Sequence, residues 1–338
     1  MTPAMLAAAK VANKWRAKVE RRMRKPLNVP GDQLIHTVHV PRIYFDTRTF
    51  QRTFMDNAPI SIHTYGTSNT NVGQRTRAGH VVATRANNVD DRWFEAQYRY
   101  IASLSDDDLM NVMSYTTRSH KWIGPFQRTG EVPSEFLYLI QDPHITPMYP
   151  QLRNIVERDG RKALKPKASF EAEDFANKNL DPPKRYQAYQ RLLIQNRFRT
   201  KAVREALQMY ERDLMRIIDA SPPVQTPIVV YRGTRGNPYA THVGHTYLST
   251  AFSSAAFATT HAMAYAGGSS GVLQRLTLEP GARALVVAII NRWARHGEYE
   301  VVLQKGGRYE FKSRGAKRWV FDGERFAQKP VTDIRVTS

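Results

Sequence analysis

The sequence predicts an α+β protein in which a helical lobe precedes a β-rich core. Two observations support this class. Between residues 91 and 226 apolar side chains recur at helical spacing; the clearest stripe, over 200–220, is Val203, Leu207, Tyr210, Leu214, Ile217 and Ile218. After residue 227, short apolar runs alternate with turn residues, and one short helix near 254–266 interrupts them. We therefore expect a sheet core flanked by helices.

The individual elements follow from the same patterns. Helices are predicted over 92–103, 106–115, 170–177, 185–197 and 200–220. Ser105 is placed to cap the second helix, whose first turn carries three aspartates. The Pro- and Gly-rich stretch 124–150 is predicted to be a loop. Strands are predicted over 228–232, 273–278, 285–290, 299–303, 308–311, 319–321 and 334–336.

The composition limits the classes of function. The chain has 338 residues, a net charge of +20 and no cysteine, which excludes disulfides, thiolate metal sites and a cysteine nucleophile. No apolar run is long enough to span a membrane, and the first residues do not resemble a secretory signal. The charge favours a nucleic acid, ribosome, acidic protein or anionic membrane as partner, or it forms a solvated basic surface without a partner.

Residues 1–90 are predicted to form an extension to the main domain. Residues 1–25 contain eight Lys and Arg against the single acid Glu20, with apolar residues at helical spacing. This basic helix either docks on nucleic acid, a membrane or a larger assembly, or packs on its own chain. Residues 31–90 read as short strands, and the spacing of their histidines does not match a metal site. The main domain is then 91–338, with a helical lobe over 91–226 and a β core over 227–338.

The first motif of the β core is VVYRG, residues 229–233. An apolar strand ends in Arg232, whose guanidinium can clamp a phosphate or a ribose with paired donors. Gly233 allows the backbone to turn close to a ligand. The alternative is a rim arginine that is ion-paired with a carboxylate.

The second motif is YLSTAFSS, residues 247–254. The hydroxyls of Ser249 and Thr250 can hold a carboxylate of a neighbouring strand in one rotamer. The alternative is ordinary strand composition. The aromatic Phe257 further along, like His261 and Tyr265, offers a ring that stacks on a ligand or packs in a helix core.

The third motif is GEYEVVLQ, residues 297–304. Glu298 and Glu300 are two positions apart at the start of an apolar strand, so both carboxylates point to one face. A fixed carboxylate stabilises an oxocarbenium-like transition state, and a second one can orient an incoming nucleophile. The alternative is a pair of surface acids bound to basic side chains.

In this order, the three motifs resemble the clostridial binary-toxin class of arginine-specific ADP-ribosyltransferases and their bacteriophage relatives. That family has a strand-end Arg, a Ser-Thr-Ser strand and a Glu-x-Glu after a short loop. The resemblance covers about residues 91–338 and includes EPGARALVV at 279–287 and LMNVMSYTTRSHKWI at 109–123. Ala251 departs from it, because the family has a serine there. The resemblance implies an ADP-ribosyltransferase fold with a two-sheet mixed β core after the helical lobe.

The resemblance also implies roles for single residues. Glu300 would hold the nicotinamide ribose and stabilise the cation, with Ser249 supporting it, and Glu298 would recognise the target arginine. The remaining residues of the NAD site would be Arg232, Gly233, Thr250 and Phe257. The segment 291–297 would recognise the target protein through Trp293 and Arg295. NAD would be the co-substrate, and no metal is implied.

The sequence thus indicates an enzyme that transfers ADP-ribose from NAD to arginine side chains of a host protein. It would be a phage, viral or bacterial effector acting in the host or bacterial cytoplasm, or packaged in a virion. Two alternatives stay open: an NAD glycohydrolase on the same fold, and a virion-associated protein that carries the domain while its basic arm contacts nucleic acid or the particle.

Overall fold

A computed structural model describes residues 37–47, 49–63, 91–116, 120–133, 136, 148–160, 197–235, 243–266, 271–291, 300–313, 315–321 and 326–338. The helices predicted over residues 1–25, 170–177 and most of 185–197 lie outside these ranges. The described residues contain helices and a large mixed sheet, so the predicted α+β class is confirmed. None of the described helices combines the length and apolarity that a membrane span requires.

The helices of the lobe bury apolar faces against one another and against the sheet. Tyr210 and Leu214 are among the buried residues of the predicted 200–220 stripe. The lobe contains α1 Asp91–Ser103, α2 Asp106–Ser114, α3 His120–Thr129, α4 Pro150–Asp159 and α5 Arg197–Asp219. Its last helix confirms the prediction for 200–220.

Helix α2 begins as the sequence predicts and ties the lobe together. The Ser105 hydroxyl accepts a hydrogen bond from the backbone N–H of Asp108 at 3.1 Å. Each of the three aspartates that follow Ser105 pairs with an arginine from a different element. The pairs are Asp106 with Arg52, Asp107 with Arg153 and Asp108 with Arg216.

Three predicted elements differ from the structure. The short helix predicted near 254–266 begins only at Thr259, because Ser253–Ala256 form a strand. The stretch 124–150 is not entirely loop, because α3 continues to Thr129 with Pro125 inside it. Burial of Trp122, Ile123 and Phe126 in the core stabilises that helix despite the missing proline N–H. The predicted strand 285–290 is broken, because a turn of 3₁₀ helix at Val287–Ile289 separates two short strands.

The strands form two sheets. In chain order they are β1 Thr37–Asp46, β2 Gln51–His63, β3 Ile228–Arg235, β4 Thr246–Leu248, β5 Ser253–Ala256, β6 Gly271–Leu278, β7 Ala284–Leu285, β8 Ile290–Asn291, β9 Glu300–Leu303, β10 Arg308–Phe311, β11 Ala316–Phe321 and β12 Phe326–Thr337, with helix α6 Thr259–Ala266 after β5. The nine-stranded sheet has the order β4-β10-β12-β6-β3-β5-β9-β7, with β11 paired to β12, and the other sheet has the order β2-β1-β8.

Both faces of the large sheet are covered. Strands β3, β6 and β12 pair so that Ile228, Leu278 and Val336 form one row, and Val230, Leu276 and Ile334 form the next. All six belong to the main core shared with the helical lobe. Residues of the alternate positions pack on the other face against α6, as a second cluster of Val229, Tyr231, Ala262, Leu273, Val320 and Val331.

The hairpin of β1 and β2 shares this architecture. β1 pairs in parallel with β8 through Ile43 and Ile290, and Val40, Ile43 and Phe45 are buried in the main core. On β2, Arg52 pairs with Asp106 of α2 at 2.6 Å. The predicted extension therefore contributes two strands to the small sheet, and a domain boundary at residue 90 stays a prediction.

Candidate functional site

Arg232 and Glu300 lie on strands that flank β5. Tyr231 is opposite Ala256 of β5, and Ala256 is opposite Glu300 of β9. Two strand spacings of about 4.8 Å separate the backbones of Tyr231 and Glu300 by about 10 Å. Arg232 follows Tyr231 directly, so the structure brings the predicted arginine and carboxylate to one region of the sheet.

A hydroxyl of β5 orients the arginine. Nη1 of Arg232 donates a hydrogen bond to Oγ of Ser253 at 2.9 Å. Ser253 is buried and Arg232 is partly buried, and Ser253 lies on the strand between those of Arg232 and Glu300. The bond fixes one end of a guanidinium whose remaining N–H groups can bind a ligand.

Tyr115, at the C-terminal end of α2, covers this region from the helical lobe. Its side chain is 3% exposed and packs edge-to-face on Phe252. Burial raises the pKa of Tyr115, its hydrogen bond with Ser254 lowers it, the charge of Glu300 raises it and that of Arg232 lowers it. The hydroxyl therefore lies within the field of both predicted site charges.

The sequence interpretation assigned no role to Ser253, Ser254 or Tyr115. The two serines are part of the motif YLSTAFSS, and Tyr115 is part of the segment 109–123. Their contacts join α2 to β5 across a large sequence separation. The available signal was the presence of hydroxyl residues inside segments already linked to the family.

Ser249 and Thr250 lie between β4 and β5 and not within a strand. The buried Ser249 hydroxyl donates to the carbonyl oxygen of Ala251 at 2.6 Å, and its backbone N–H donates to the carbonyl of Gly307 at 2.9 Å. Thr250 is exposed. Ser249 is thus bound to its own turn and to the connection between β9 and β10, and its predicted support of Glu300 stays a prediction.

Gly233 is required for packing. A Cβ at this position would lie 1.8 Å from the carbonyl oxygen of Ala262 and 2.7 Å from the backbone nitrogen of Ala266. The backbone of α6 therefore approaches β3 here more closely than any side chain would allow. The predicted contact of Gly233 with NAD stays a prediction.

The candidate aromatic residues have different environments. Phe257 is fully buried, with its ring 5.2 Å from that of Phe94, whereas Tyr265 on α6 is 60% exposed. Burial lowers the pKa of His261 to about 4, so its imidazole is neutral at pH 7. The predicted stacking of Phe257 on nicotinamide stays a prediction, and the structure places that ring in the core.

Gln127 of α3 holds the chain that enters β5. Its Oε1 accepts a hydrogen bond from the backbone N–H of Phe252 at 3.1 Å, and its Nε2 donates to Glu211 at 3.3 Å. Glu211 of α5 also pairs with Lys305, beyond the end of β9. One polar chain thus fixes the strands that carry Ser253 and Glu300 relative to the helical lobe.

The predicted residues Glu298, Trp293 and Arg295 lie outside the described residues, as does most of the segment 291–297. Across the described ranges, no group of three or more His, Asp or Glu side chains is arranged to hold a metal ion. The described part of the site therefore consists of one guanidinium, one carboxylate and several hydroxyls.

Comparisons with known proteins give structural matches only. No family model matches the sequence, and neither does any curated protein. The ADP-ribosylating toxin BECa of a binary enterotoxin of C. perfringens matches with a TM-score of 0.43 and 14% identity, over 84% of this chain and 58% of that chain. The enzymatic component C2-I of the C2 toxin from Clostridium botulinum matches with a TM-score of 0.43 and 13% identity, over 82% and 56%.

A third match is Plx2a, an ADP-ribosyltransferase toxin from Paenibacillus larvae, with a TM-score of 0.39 and 13% identity, over 73% of this chain and 94% of that chain. The chain spans little more than half the length of the first two proteins. Because all three TM-scores lie below 0.5, the chemistry proposed below is argued from the residues of the site.

Proposed function

We propose that the protein transfers ADP-ribose from NAD to arginine side chains of target proteins and releases nicotinamide. The observation that carries the proposal is the position of Arg232 and Glu300 on strands flanking β5, with the hydroxyls of Ser253, Ser254 and Tyr115 beside them. These residues come from four separate sequence segments, each part of the resemblance to one family.

The two charges suit the two ends of the reacting part of NAD. The Arg232 guanidinium is the group that binds diphosphate oxygens with paired donors. The Glu300 carboxylate is the group that stabilises positive charge developing on the nicotinamide ribose. Two site charges of opposite sign, on the strands to either side of β5, therefore fit a substrate with an anionic centre and a cationic reacting end.

In the proposed step, the bond between C1′ of the nicotinamide ribose and the nicotinamide nitrogen breaks. Its electron pair leaves with nicotinamide, which becomes neutral, so no general acid is needed for departure. A guanidino nitrogen of the acceptor then bonds to C1′ and loses one proton. We assign the orientation of that guanidinium and the acceptance of its proton to Glu298.

The test is to incubate the protein with NAD labelled in the ADP-ribose part and with agmatine, a small guanidino compound. Equal amounts of nicotinamide and labelled ADP-ribosyl-agmatine are expected, separated by chromatography. In a cell lysate the label should be found on arginine by mass spectrometry of the labelled band. Release of free ADP-ribose at the same rate with and without agmatine would identify an NAD glycohydrolase instead.

The variant Glu298→Gln separates the acceptor from the donor part of the reaction. We expect it to lose transfer to agmatine while retaining hydrolysis of NAD, because water needs no carboxylate to orient a guanidinium. Equal loss of both reactions would contradict the assigned role of Glu298. The same proposal includes a host protein as the target and the binding of residues 1–25 to a host component.

A further inference from the structure

The face of the large sheet that packs on the helical lobe changes from apolar to polar at one row. Along β3, β6 and β12 the rows Ile228, Leu278, Val336 and Val230, Leu276, Ile334 are apolar, and the next row is Arg232, Gln274 and Thr332. The side chains of Gln274 and Thr332 are buried, each residue being only 1% exposed. The row that contains the site arginine is therefore polar across three strands.

Within the part of the chain that the structure describes, two groups of this row lack hydrogen-bond partners. The amide nitrogen Nε2 of Gln274 and the hydroxyl oxygen of Thr332 are both buried without a partner. Native proteins satisfy most buried polar groups, and leaving one unsatisfied costs about 1–3 kcal/mol. Their low exposure means that bulk water does not satisfy them in this arrangement.

The chemistry of the row restricts which groups can form hydrogen bonds with its two unsatisfied atoms. The Gln274 amide nitrogen and the Arg232 guanidinium are both donors, so they cannot bond to each other. Gln274 is directly opposite Arg232 on the neighbouring strand, and the backbones of the two strands are about 4.8 Å apart. An oxygen acceptor held by Arg232 on this side therefore lies one strand spacing from the backbone of Gln274.

We propose that Gln274, supported by Thr332, is a second donor of the diphosphate subsite at Arg232. The inference rests on the proposed function and names the part of NAD that this row recognises. An oxygen of the diphosphate receives one hydrogen bond from Arg232 and one from the Gln274 amide. In a buried setting a bond to a charged acceptor is stronger than at the surface.

The test compares two substitutions of buried glutamines by the isosteric methionine. Gln274→Met removes a donor without a partner, so the free protein should melt no lower than the wild type. Its Kd for NAD, for ADP-ribose and for inorganic pyrophosphate should rise about ten- to a hundredfold, the effect of one hydrogen bond to a charged group. Binding is measured by calorimetry and by the shift in Tm that each ligand causes.

The matched control is Gln97→Met. The amide of Gln97 is also fully buried, but it bonds to the carbonyls of Pro222 and Ala284 and to the N–H of Val286. This variant should melt lower than the wild type and keep its Kd for all three ligands. If Gln274→Met does not fold, Gln274→Glu serves instead, because a carboxylate beside Arg232 should repel the same three ligands.

The outcomes separate this inference from the proposed function. A lower melting temperature for Gln274→Met with unchanged Kd values makes Gln274 a structural residue and overturns the inference. Weaker NAD binding with unchanged pyrophosphate binding overturns the assignment to the diphosphate. In another outcome the wild type binds ADP-ribose and pyrophosphate but transfers nothing to agmatine. If Gln274→Met then loses both affinities, the result supports the inference and contradicts the proposed function. A wild-type protein that binds none of the three ligands overturns both.

Discussion

Two buried polar clusters of this protein differ in how completely their hydrogen bonds are made. At the junction of α1 with β7, the Gln97 amide makes three hydrogen bonds and the Trp93 indole donates to Pro222. The single hydrogen of the Ser221 hydroxyl lies within reach of the carbonyl oxygens of Ile218 and Ala284. In the row of Arg232, Gln274 and Thr332, two buried groups have no partner. The junction cluster stabilises the fold, whereas the polar row is suited to receive a ligand.

The difference shows how burial alone misleads. Gln97 and Gln274 are the same residue type with almost the same exposure. Their hydrogen bonds, and not their burial, distinguish a group that holds two segments together from one that is available to a substrate. Substitutions in the two clusters should therefore separate stability from activity.

The largest effect is expected from Glu300→Gln. Loss of the charge that stabilises the oxocarbenium-like transition state should lower transfer to agmatine at least about a hundredfold. The melting temperature should stay near the wild-type value, because Glu300 lies at the start of β9 and outside the core. Glu310→Gln is the control, since Glu310 lies on β10 and its carboxylate pairs with Lys312, just beyond that strand. Equal activity of the two variants would refute the role of Glu300.

Gly233→Ala should cost about 3 kcal/mol or more of unfolding free energy, because its Cβ would overlap the backbone of α6. Chemical denaturation measures the change. Gly307→Ala is the control, because a Cβ at Gly307 has its nearest neighbour at 3.4 Å. A wild-type stability for Gly233→Ala would mean that the approach of α6 to β3 is less close than described.

Gln97→Met should cost about 2–3 kcal/mol, because it removes the hydrogen bonds of the amide to Pro222, Ala284 and Val286. NAD turnover per folded molecule should be unchanged. Thermal unfolding and activity at a temperature where both proteins are folded check the two parts. A loss of turnover without loss of stability would contradict the purely structural role of Gln97.

His261 should make stability depend on pH. Burial lowers the pKa of His261 to about 4, whereas an unfolded chain binds that proton near pH 6.5. The unfolded state therefore holds more protons between these values, and stability is full above pH 6.5 and falls as the pH drops toward 4. We expect His261→Gln to remove about 2 kcal/mol of this dependence, measured by denaturation at pH 7 and pH 4.5.

The smallest effect is expected from Ser253→Ala, which removes one hydrogen bond to Arg232. This bond is worth about 1 kcal/mol, and without it Arg232 is less well oriented for NAD. The KM for NAD should therefore rise about fivefold, while kcat stays nearly unchanged. Ser253→Thr, which keeps the hydroxyl, should restore the KM. A change confined to kcat would place Ser253 nearer the reacting bond than Arg232.

Local patterns were sufficient for much of the fold. The stripe of Val203, Leu207 and Tyr210 predicts α5 because helical periodicity is repeated over many residues, and Ser105 predicts the start of α2 because capping is a local interaction. Pro125 misled the prediction, because proline is unfavourable inside a helix and only the burial of its neighbours outweighs this.

The site was predictable where a motif fixes residue types, and not where packing decides. Glu300 begins β9 as predicted, whereas Arg232, predicted at a strand end, lies inside β3, which pairs with β6 as far as Arg235. Both residues lie on strands that flank β5. Gly233 could serve a turn, a ligand or a helix, and only the position of α6 distinguishes these. The contacts of Ser253 and Tyr115 depend on pairing between distant segments, which no local pattern encodes.

The position of β12 has a consequence for folding. Residues 326–337 lie between β10 and β6 in the large sheet, and their pairing with β6 is parallel and distant in sequence. Such non-local pairing is slow, because the loop must close before the contacts form. We therefore expect Thr332 to join Gln274 late in folding, after the helices have formed. When refolding is monitored by NAD binding, it should be slower than when it is monitored by helix content.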